Sequence, residues 1–297
     1  MQTNQEYTKP FLKWAGNKFR IINIVISNIK KYNSYNRTDY IEPFGGAGSI
    51  LINLEGIFSK RTYADYNKDL VDLFRHIQKD KEVLINEIDS IFTPENNKET
   101  KYYKLREEFN SLKGESNSIR KSAIFVYLNR HCFNGLCRYG PNGFNVPFGR
   151  YKSISAPLSE IHKVSEKISK NVKIVSGDFE KNIREAGCNS IVYCDPPYFP
   201  LSTTSSFTKY SGGEDFGIDS QNRLAIAAKE AAERGAIVLI SNHNTVECRK
   251  LYSSMQSKDV QVDLSVTFDV PRFISAKGEG RGKCSPELIA VFKPKKL

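Results

Sequence analysis

No apolar run in the 297-residue sequence approaches the about 18 residues that a membrane-spanning helix needs, so no transmembrane span is expected. The first ten residues are polar and hold no apolar signal core, which argues against secretion. The six cysteines, Cys132, Cys137, Cys188, Cys194, Cys248 and Cys284, include no Cys-x-x-Cys pair, and no histidine stands at zinc-ligand spacing from them. They read as free thiols of a reducing cytoplasm, and no metal site is expected. There is no internal repeat and no long low-complexity tract. Neither Gly-x-Gly-x-x-Gly nor a glycine loop ending in Gly-Lys-Ser/Thr occurs, so a nicotinamide cofactor and a nucleoside triphosphate are both poorly supported.

What is present is a core and a basic surface. Apolar residues make up 39% and charged residues 26%, enough to fold as one large domain or as a domain with a sizeable insertion. The 44 Lys+Arg outnumber the 33 Asp+Glu, giving +11, and such a surface attracts polyanions. The charge is uneven: residues 101–170 carry +8, residues 271–297 carry +5, and the rest is near −2.

Short apolar runs alternate with helical patterns at both ends of the chain. Strands are expected at 40–42, 61–65, 172–176, 190–194 and 236–240, with an antiparallel pair at 260–268 and 288–292. Helices are expected at 49–58, 70–78 and 220–234. This alternation predicts a mostly parallel sheet with helices on both faces. The middle is helical, at 81–91, 102–112 and 119–130, followed by an irregular stretch at 131–152 rich in Gly, Asn, Pro and aromatics. An irregular stretch of that length is usually functional. The expected organisation is therefore a sheet domain, 1–78 with 169–297, split by a helical insertion at 79–168.

Two motifs and a single acidic residue stand at ends of expected strands. Glu42-Pro43-Phe44-Gly45-Gly46-Ala47-Gly48-Ser49 follows the first, and glycines there let the backbone pass close to a ligand, or simply form a turn. Asp65 ends the second strand, where a carboxylate commonly takes ribose hydroxyls; its plainer role is a cap for the helix beginning at Asn67. Asp195-Pro196-Pro197-Tyr198 follows the apolar strand at 191–194. Its prolines fix a rigid turn at the carboxyl end of the sheet, where open α/β sheets place ligands. Asp195 and the Pro196 carbonyl can accept the two hydrogens of an exocyclic amine, and Tyr198 can stack on a flat ring.

These motifs, with Phe11-Leu12-Lys13-Trp14-Ala15-Gly16-Asn17-Lys18, resemble the Dam-type DNA adenine-N6 methyltransferases. Leu128 to Tyr139 and Phe144 to Tyr151 are similar to that family's DNA-recognition stretch, and Leu239-Ile240-Ser241-Asn242-His243 also matches. The resemblance covers nearly the whole chain in the family's order. One departure is Asn17, where the family usually has Gly; Asn tolerates a positive φ, so the loop is expected to survive.

The resemblance implies a Rossmann-like α/β fold that binds S-adenosylmethionine, with an inserted helical DNA-recognition domain. Trp14 and Lys18 would close over the cofactor, although a tryptophan can be a core anchor and a lysine a solvated charge. Glu42, Pro43, Phe44, Gly45, Gly46, Gly48 and Ser49 would lie along its methionine part. Asp65 would hold the ribose, and Asp178 and Phe179 the adenine, unless they form an ordinary strand-end turn. Asp195, Pro196, Pro197 and Tyr198 would hold a target adenine flipped out of the duplex, with Asp195 close to the cofactor as well. Lys13, Phe133, Asn134, Leu136, Arg138, Pro147 and Tyr151 match positions that read or replace bases in GATC. Phe133 stands where the family has a tyrosine wedge. Arg130, Asn145 and Arg150 would contact phosphates.

Double-stranded DNA is then the partner, the cytoplasmic nucleoid the place of action, and a monomer, or a chain weakly associating on DNA, the default. Alternatives are the same chemistry at another sequence in a restriction–modification pair, a DNA-binding regulator without turnover, and a methyltransferase of RNA or small molecules. The Gly- and Lys-rich loop at 275–285 is expected to order on DNA.

Overall fold

The computed structural model of the chain describes residues 6–33, 36–115, 118–201, 216–271 and 284–295. They form a mixed α/β protein with two compact units. One is built mainly from Met1–Val25 and Gly45–Gly177, the other from Ile26–Phe44, Asp178–Tyr210 and Glu214–Leu297.

In the first unit, β2 (Lys60–Asp65) and β5 (Val172–Ser176) pair in parallel, with Arg61 opposite Val172 and Asp65 opposite Ser176. Five helices enter between these two strands in the sequence: α2 (Lys68–Lys79), α3 (Lys81–Ile91), α4 (Glu99–Ser111), α5 (Ile119–His131) and α6 (Leu158–Ile168). Asn67 starts α2, its side chain accepting from the Leu70 amide (3.2 Å) and satisfying an otherwise orphaned donor. The apolar face of α2, which includes Leu70, Phe74 and Ile77, is buried. Helix α5 is buried over Ser122–Asn129, most of it the apolar run 123–128, and packs against α2, α3 and α4. A small hairpin, β3 (Tyr139–Gly140) and β4 (Gly143–Phe144), interrupts the irregular stretch after α5.

In the second unit the strand order is β1-β6-β7-β9-β8. β1 (Asp39–Glu42), β6 (Ser190–Cys194) and β7 (Ile237–His243) run parallel, while β9 (Cys284–Pro294) lies antiparallel between β7 and β8 (Val260–Pro271). All five residues of β6 are buried, because a parallel strand with partners on both edges is also covered on both faces. The alanines of α8 (Ile218–Glu233) allow close approach: Ala225, Ala228, Ala231 and Ala232 join Val192, Val238 and Leu288 in one core.

Three outcomes depart from the sequence reading. Residues 49–58 do not form an α-helix; they hold a 3-10 turn at Leu51–Asn53. Ile50, Leu51, Ile52 and Leu54 are all buried, so their apolar pattern reflects burial rather than one helical face, and Gly56 at φ +76° ends the segment. Asn17 does not adopt a positive φ: Gly16 does, at +77°, while Asn17 at −52° caps a 3-10 turn by accepting from the Phe19 amide. Helices α1 (Ile22–Tyr32), α7 (Phe179–Arg184) and α9 (Val246–Ser253) were not expected. Most of the loop at 275–285 lies outside the described residues. Helix α2 packs on both β5 and α5.

Candidate functional site

In the first unit the glycine loop folds back on the end of β2. The Gly45 amide donates to Ala64 O (2.8 Å) and the Gly46 amide to Asp65 Oδ2 (2.9 Å), while the Tyr63 hydroxyl donates to Gly46 O (2.7 Å). Gly46 has φ +49°, and a Cβ there would stand 2.9 Å from the Trp14 indole nitrogen. Glycine is thus required twice over, by backbone conformation and by the close approach of a half-buried ring. Gly46→Ala is expected to destabilise the fold by about 1–2 kcal/mol from the left-handed backbone alone, and further by displacing Trp14. A thermal melt checks this; an unchanged midpoint would mean that the loop relaxes freely.

Asp65 is 3% exposed. Capping of α2 falls to Asn67, and Asp65 instead joins two backbone segments, Oδ2 taking the Gly46 amide and Oδ1 the Asn67 amide (2.9 Å). Ser49 is tied to the N-terminal motif, its hydroxyl donating to Asn17 Oδ1 (2.6 Å). Lys18 is buried, with Nζ donating to Gly16 O (2.7 Å), and is not a solvated charge.

The same unit gathers the expected DNA-reading residues. Lys13 is stitched to α5 by a reciprocal pair: its amide donates to Asn129 Oδ1 (2.9 Å) and Asn129 Nδ2 donates to Lys13 O (2.7 Å). The Lys13 ammonium lies 4.2 Å from the centre of the Tyr151 ring, and the Tyr151 hydroxyl accepts from the Asn134 amide (3.1 Å). Burial, and then the neighbouring Arg130 charge, lower the Lys13 pKa. The Phe133 amide donates to Pro147 O (2.8 Å), which brings the two halves of the recognition stretch together. Phe133 itself is 51% exposed and is the only aromatic among the large apolar side chains that the described residues expose. Asn134 (φ 56°) and Gly135 (φ 63°) form the left-handed turn that follows it.

Arg138 is exposed, and Asn145 holds one edge of its guanidinium: Nε donates to Asn145 Oδ1 (2.7 Å) and Nη2 to Asn145 O (3.3 Å). Pro147 and Arg150 are exposed, and Leu136 is half-buried. Arg150 lies 3.6 Å from Glu99. Arg130 is half-buried, with Nη1 donating to Phe11 O (3.3 Å).

His131 closes α5 and is 1% exposed; Nδ1 donates to Tyr127 O (2.9 Å) and its ring stacks on Tyr127. Burial pushes its pKa down to about 4. The folded state therefore favours the neutral ring, while the unfolded chain takes up a proton near pH 6.5. Stability is expected to fall as pH drops from about 6.5 toward about 4, by about 3 kcal/mol at the acid end. Denaturant melts across that range should show this slope in the parent chain and lose it in His131→Phe.

In the second unit, Asp195-Pro196-Pro197-Tyr198 leaves the carboxyl end of β6. Asp195 and Tyr198 are half-buried and Pro196 is buried. The Tyr198 hydroxyl donates to Glu287 Oε2 (3.2 Å), and its ring meets the His243 ring edge-on, with centroids 4.9 Å apart. Burial first, then the charges of Asp195 and Glu287, push the Tyr198 pKa well up, so the phenol stays protonated. Glu42 is 2% exposed and accepts from the Tyr40 hydroxyl (3.0 Å); Pro43 beside it is buried. Phe44 stacks on Phe179 at 5.3 Å.

Asp178 caps α7, accepting from the Glu180 amide (2.9 Å), and Arg223 bridges Asp178 and Glu180 while lying over the Phe179 ring at 5.0 Å. Sequence reasoning missed Arg223, which stands 45 residues from Asp178. It also missed Gln221 and Glu287, and it left Asn242 and His243 without a role.

Comparison with known proteins agrees with the motifs. The family model described as D12 class N6 adenine-specific DNA methyltransferase matches residues 14–265. The chain is 38% identical over 288 residues to the DNA adenine methylase of Vibrio cholerae serotype O1, covering 96% of each. It is 37% identical over 287 residues to the DNA adenine methylase of Escherichia coli K12, again covering 96% of each. With the DNA adenine methylase of Haemophilus influenzae it shares 38% over 291 residues, 97% of this chain and 95% of the relative.

Proposed function

This chain belongs to the D12 class N6 adenine-specific DNA methyltransferases, and from that premise we propose that it methylates adenine N6 within GATC in duplex DNA, using S-adenosylmethionine. The residue types fit that cofactor. A Cβ on Gly46 would meet the Trp14 ring, and the Asp65 carboxylate stands at the carboxyl end of β2, where open α/β folds place a cofactor ribose. Trp14, Lys18, Gly45, Gly46, Gly48, Ser49 and Asp65 are the proposed cofactor residues of the first unit. Glu42, Pro43, Phe44, Asp178, Phe179 and Asp195 are those of the second. When bound, S-adenosylmethionine supplies an electrophilic methyl group on a sulfonium.

The target amine is a weak nucleophile, because its lone pair is conjugated with the purine ring. Asp195 and the Pro196 carbonyl accept its two hydrogens and turn the lone pair out of conjugation, and Tyr198 stacks on the base. Asp195 also stabilises the amine as it becomes cationic; it orients rather than acting as a strong base. The amine would take the methyl in line as the methyl–sulfur bond breaks, the neutral thioether S-adenosylhomocysteine would leave, and the cationic amine would pass its surplus proton to water; this displacement needs no metal.

In a duplex this amine is paired and stacked, so the base must flip out. The observation that best supports this is the exposed Phe133 ring, held beside Pro147 at the start of a left-handed turn. An exposed aromatic fixed by backbone bonds suits a wedge that fills the gap in the stack. Arg138, aligned by Asn145, presents donors for guanine O6 and N7, and Leu136 and Pro147 suit a thymine methyl. Lys13, Asn134 and Tyr151 support this reading face, and Arg130, Asn145 and Arg150 take phosphates. The +8 of residues 101–170 gives a salt-dependent grip on the duplex. We keep 79–168 as the recognition region, and a monomer or a chain weakly associating on nucleoid DNA suffices. Incubation with S-adenosylmethionine and a GATC duplex, then digestion to nucleosides, is expected to yield N6-methyldeoxyadenosine. Methylcytosine, or no methylated nucleoside, would contradict the proposal.

A further inference from the structure

The backbone groups on either side of Tyr198 are held by side chains that are fully buried. Gln221 Nε2 donates to Pro197 O (2.7 Å), and Asn242 Oδ1 accepts from the Phe199 amide (2.9 Å); both side chains are 0% exposed. The two amides are also joined to each other. Asn242 Nδ2 donates to Gln221 Oε1 (3.2 Å) and to the Tyr252 hydroxyl (3.0 Å), and Asn242 Oδ1 accepts a second bond from the His243 amide (2.9 Å).

Two buried amides in an apolar core add little net stability over well-packed apolar residues, but they fix one geometry. What they fix here is the loop around Tyr198. The phenol is held from the other end. His243 and Glu287 are register partners across β7 and β9. His243 sets its ring edge-on to Tyr198, and Glu287 accepts from the Tyr198 hydroxyl. The backbone on both sides of Tyr198 and its side chain are therefore all anchored, and His243 serves both, since its Nδ1 also donates to Phe199 O (2.5 Å).

We propose that Gln221, Asn242 and Glu287 are positioning residues for methyl transfer. They hold Asp195-Pro196-Pro197-Tyr198 in a single shape, so that the amine acceptors and the stacking ring keep a fixed mutual placement. The inference rests on the reading of this tetrapeptide as the pocket for the target adenine. A displacement of about 1 Å at a reacting centre costs on the order of a hundredfold in rate. Loss of an anchor should therefore appear in the chemical step rather than in binding.

The test is single-turnover methyl transfer to a GATC duplex, with KM for DNA and cofactor measured separately and a thermal melt as control. Gln221→Met, near in volume, removes both bonds of that amide. Glu287→Leu removes the acceptor for Tyr198, and Glu287→Gln keeps one. The transfer rate is expected to fall about 10- to 100-fold in Gln221→Met and Glu287→Leu, with KM within about twofold of the parent and Glu287→Gln largely restored. Parental rates in the folded variants, or losses carried entirely by KM, would overturn the inference. Should Gln221→Met fail to fold, the two Glu287 variants decide it by the same readouts. A parent chain that methylates no duplex would overturn the reading beneath, and this inference with it.

Discussion

Asp195→Ala is expected to abolish methyl transfer while leaving duplex affinity within a few-fold of the parent. Asp195 sits where the fully buried strand β6 ends, followed by two prolines that hold the chain extended. Its carboxylate is the charged acceptor of the tetrapeptide, and a charged acceptor outweighs the neutral Pro196 carbonyl in stabilising an amine that gains positive charge. Loss of one such preorganised group costs on the order of 100- to 1000-fold in rate. The same change also frees the amine from the orientation that exposes its lone pair, so the larger end of that range is expected. DNA affinity should persist because it depends on basic residues elsewhere in the sequence. Single-turnover transfer of a tritiated methyl group, with fluorescence anisotropy of a labelled duplex, separates the two effects. A variant that keeps its transfer rate would remove Asp195 from the chemistry; one that loses DNA affinity in proportion would make it a structural residue.

Arg138→Ala is expected to relax discrimination at one base pair by about 1–3 kcal/mol, roughly 5- to 150-fold. The guanidinium is exposed, yet its Nε edge is held by Asn145, so the fork presents a fixed direction. Preorganisation of this kind reduces the entropy lost on contact and raises the penalty for a wrong base. Loss of the contact should therefore narrow the gap between GATC and duplexes with the guanine replaced, while other positions keep their selectivity. Equal weakening at all sequences, with a salt slope reduced by about one, would make Arg138 a phosphate contact instead.

Much of the second unit could be read in the sequence because burial there follows simple patterns. Residues 191–194 form a continuous apolar run, and the structure buries them, with Ser190, in a strand covered on both faces of a parallel sheet. Apolar periodicity from Leu70 onward announced α2, although the cap is Asn67 and not Asp65, to which the sequence reading gave that role. The same signal misled at 49–58. Ile50, Leu51, Ile52 and Leu54 mimic a helical face, but all four are buried at a 3-10 turn. The glycine loop and the Asp195 tetrapeptide were legible as motifs because each must satisfy a backbone constraint at a strand end. Arg223, Gln221 and Glu287 were not, since each meets its partner only after the chain has folded. Glu287 reaches Tyr198 through the pairing of β9 with β7, and no local pattern in residues 284–294 encodes that register.

The basic charge follows the same division. As a bulk number, +11 pointed only to a polyanion. Its concentration in 101–170 matches the part of the chain where Phe133, Asn134, Pro147 and Tyr151 are drawn together, with Lys13 reaching the Tyr151 ring from the N-terminal segment. Phosphate attraction supplies affinity there, and a few fixed side chains supply choice.

The central claim is methylation of adenine within GATC. Its most direct test is the transfer of tritiated methyl groups from S-adenosylmethionine to a set of duplexes that carry GATC or the same site with one base changed. Strong labelling of the GATC duplex, falling at least about tenfold for each changed base, which is about 1.4 kcal/mol per position, is the expected result. Equal labelling of every duplex, or labelling of none, would contradict the account.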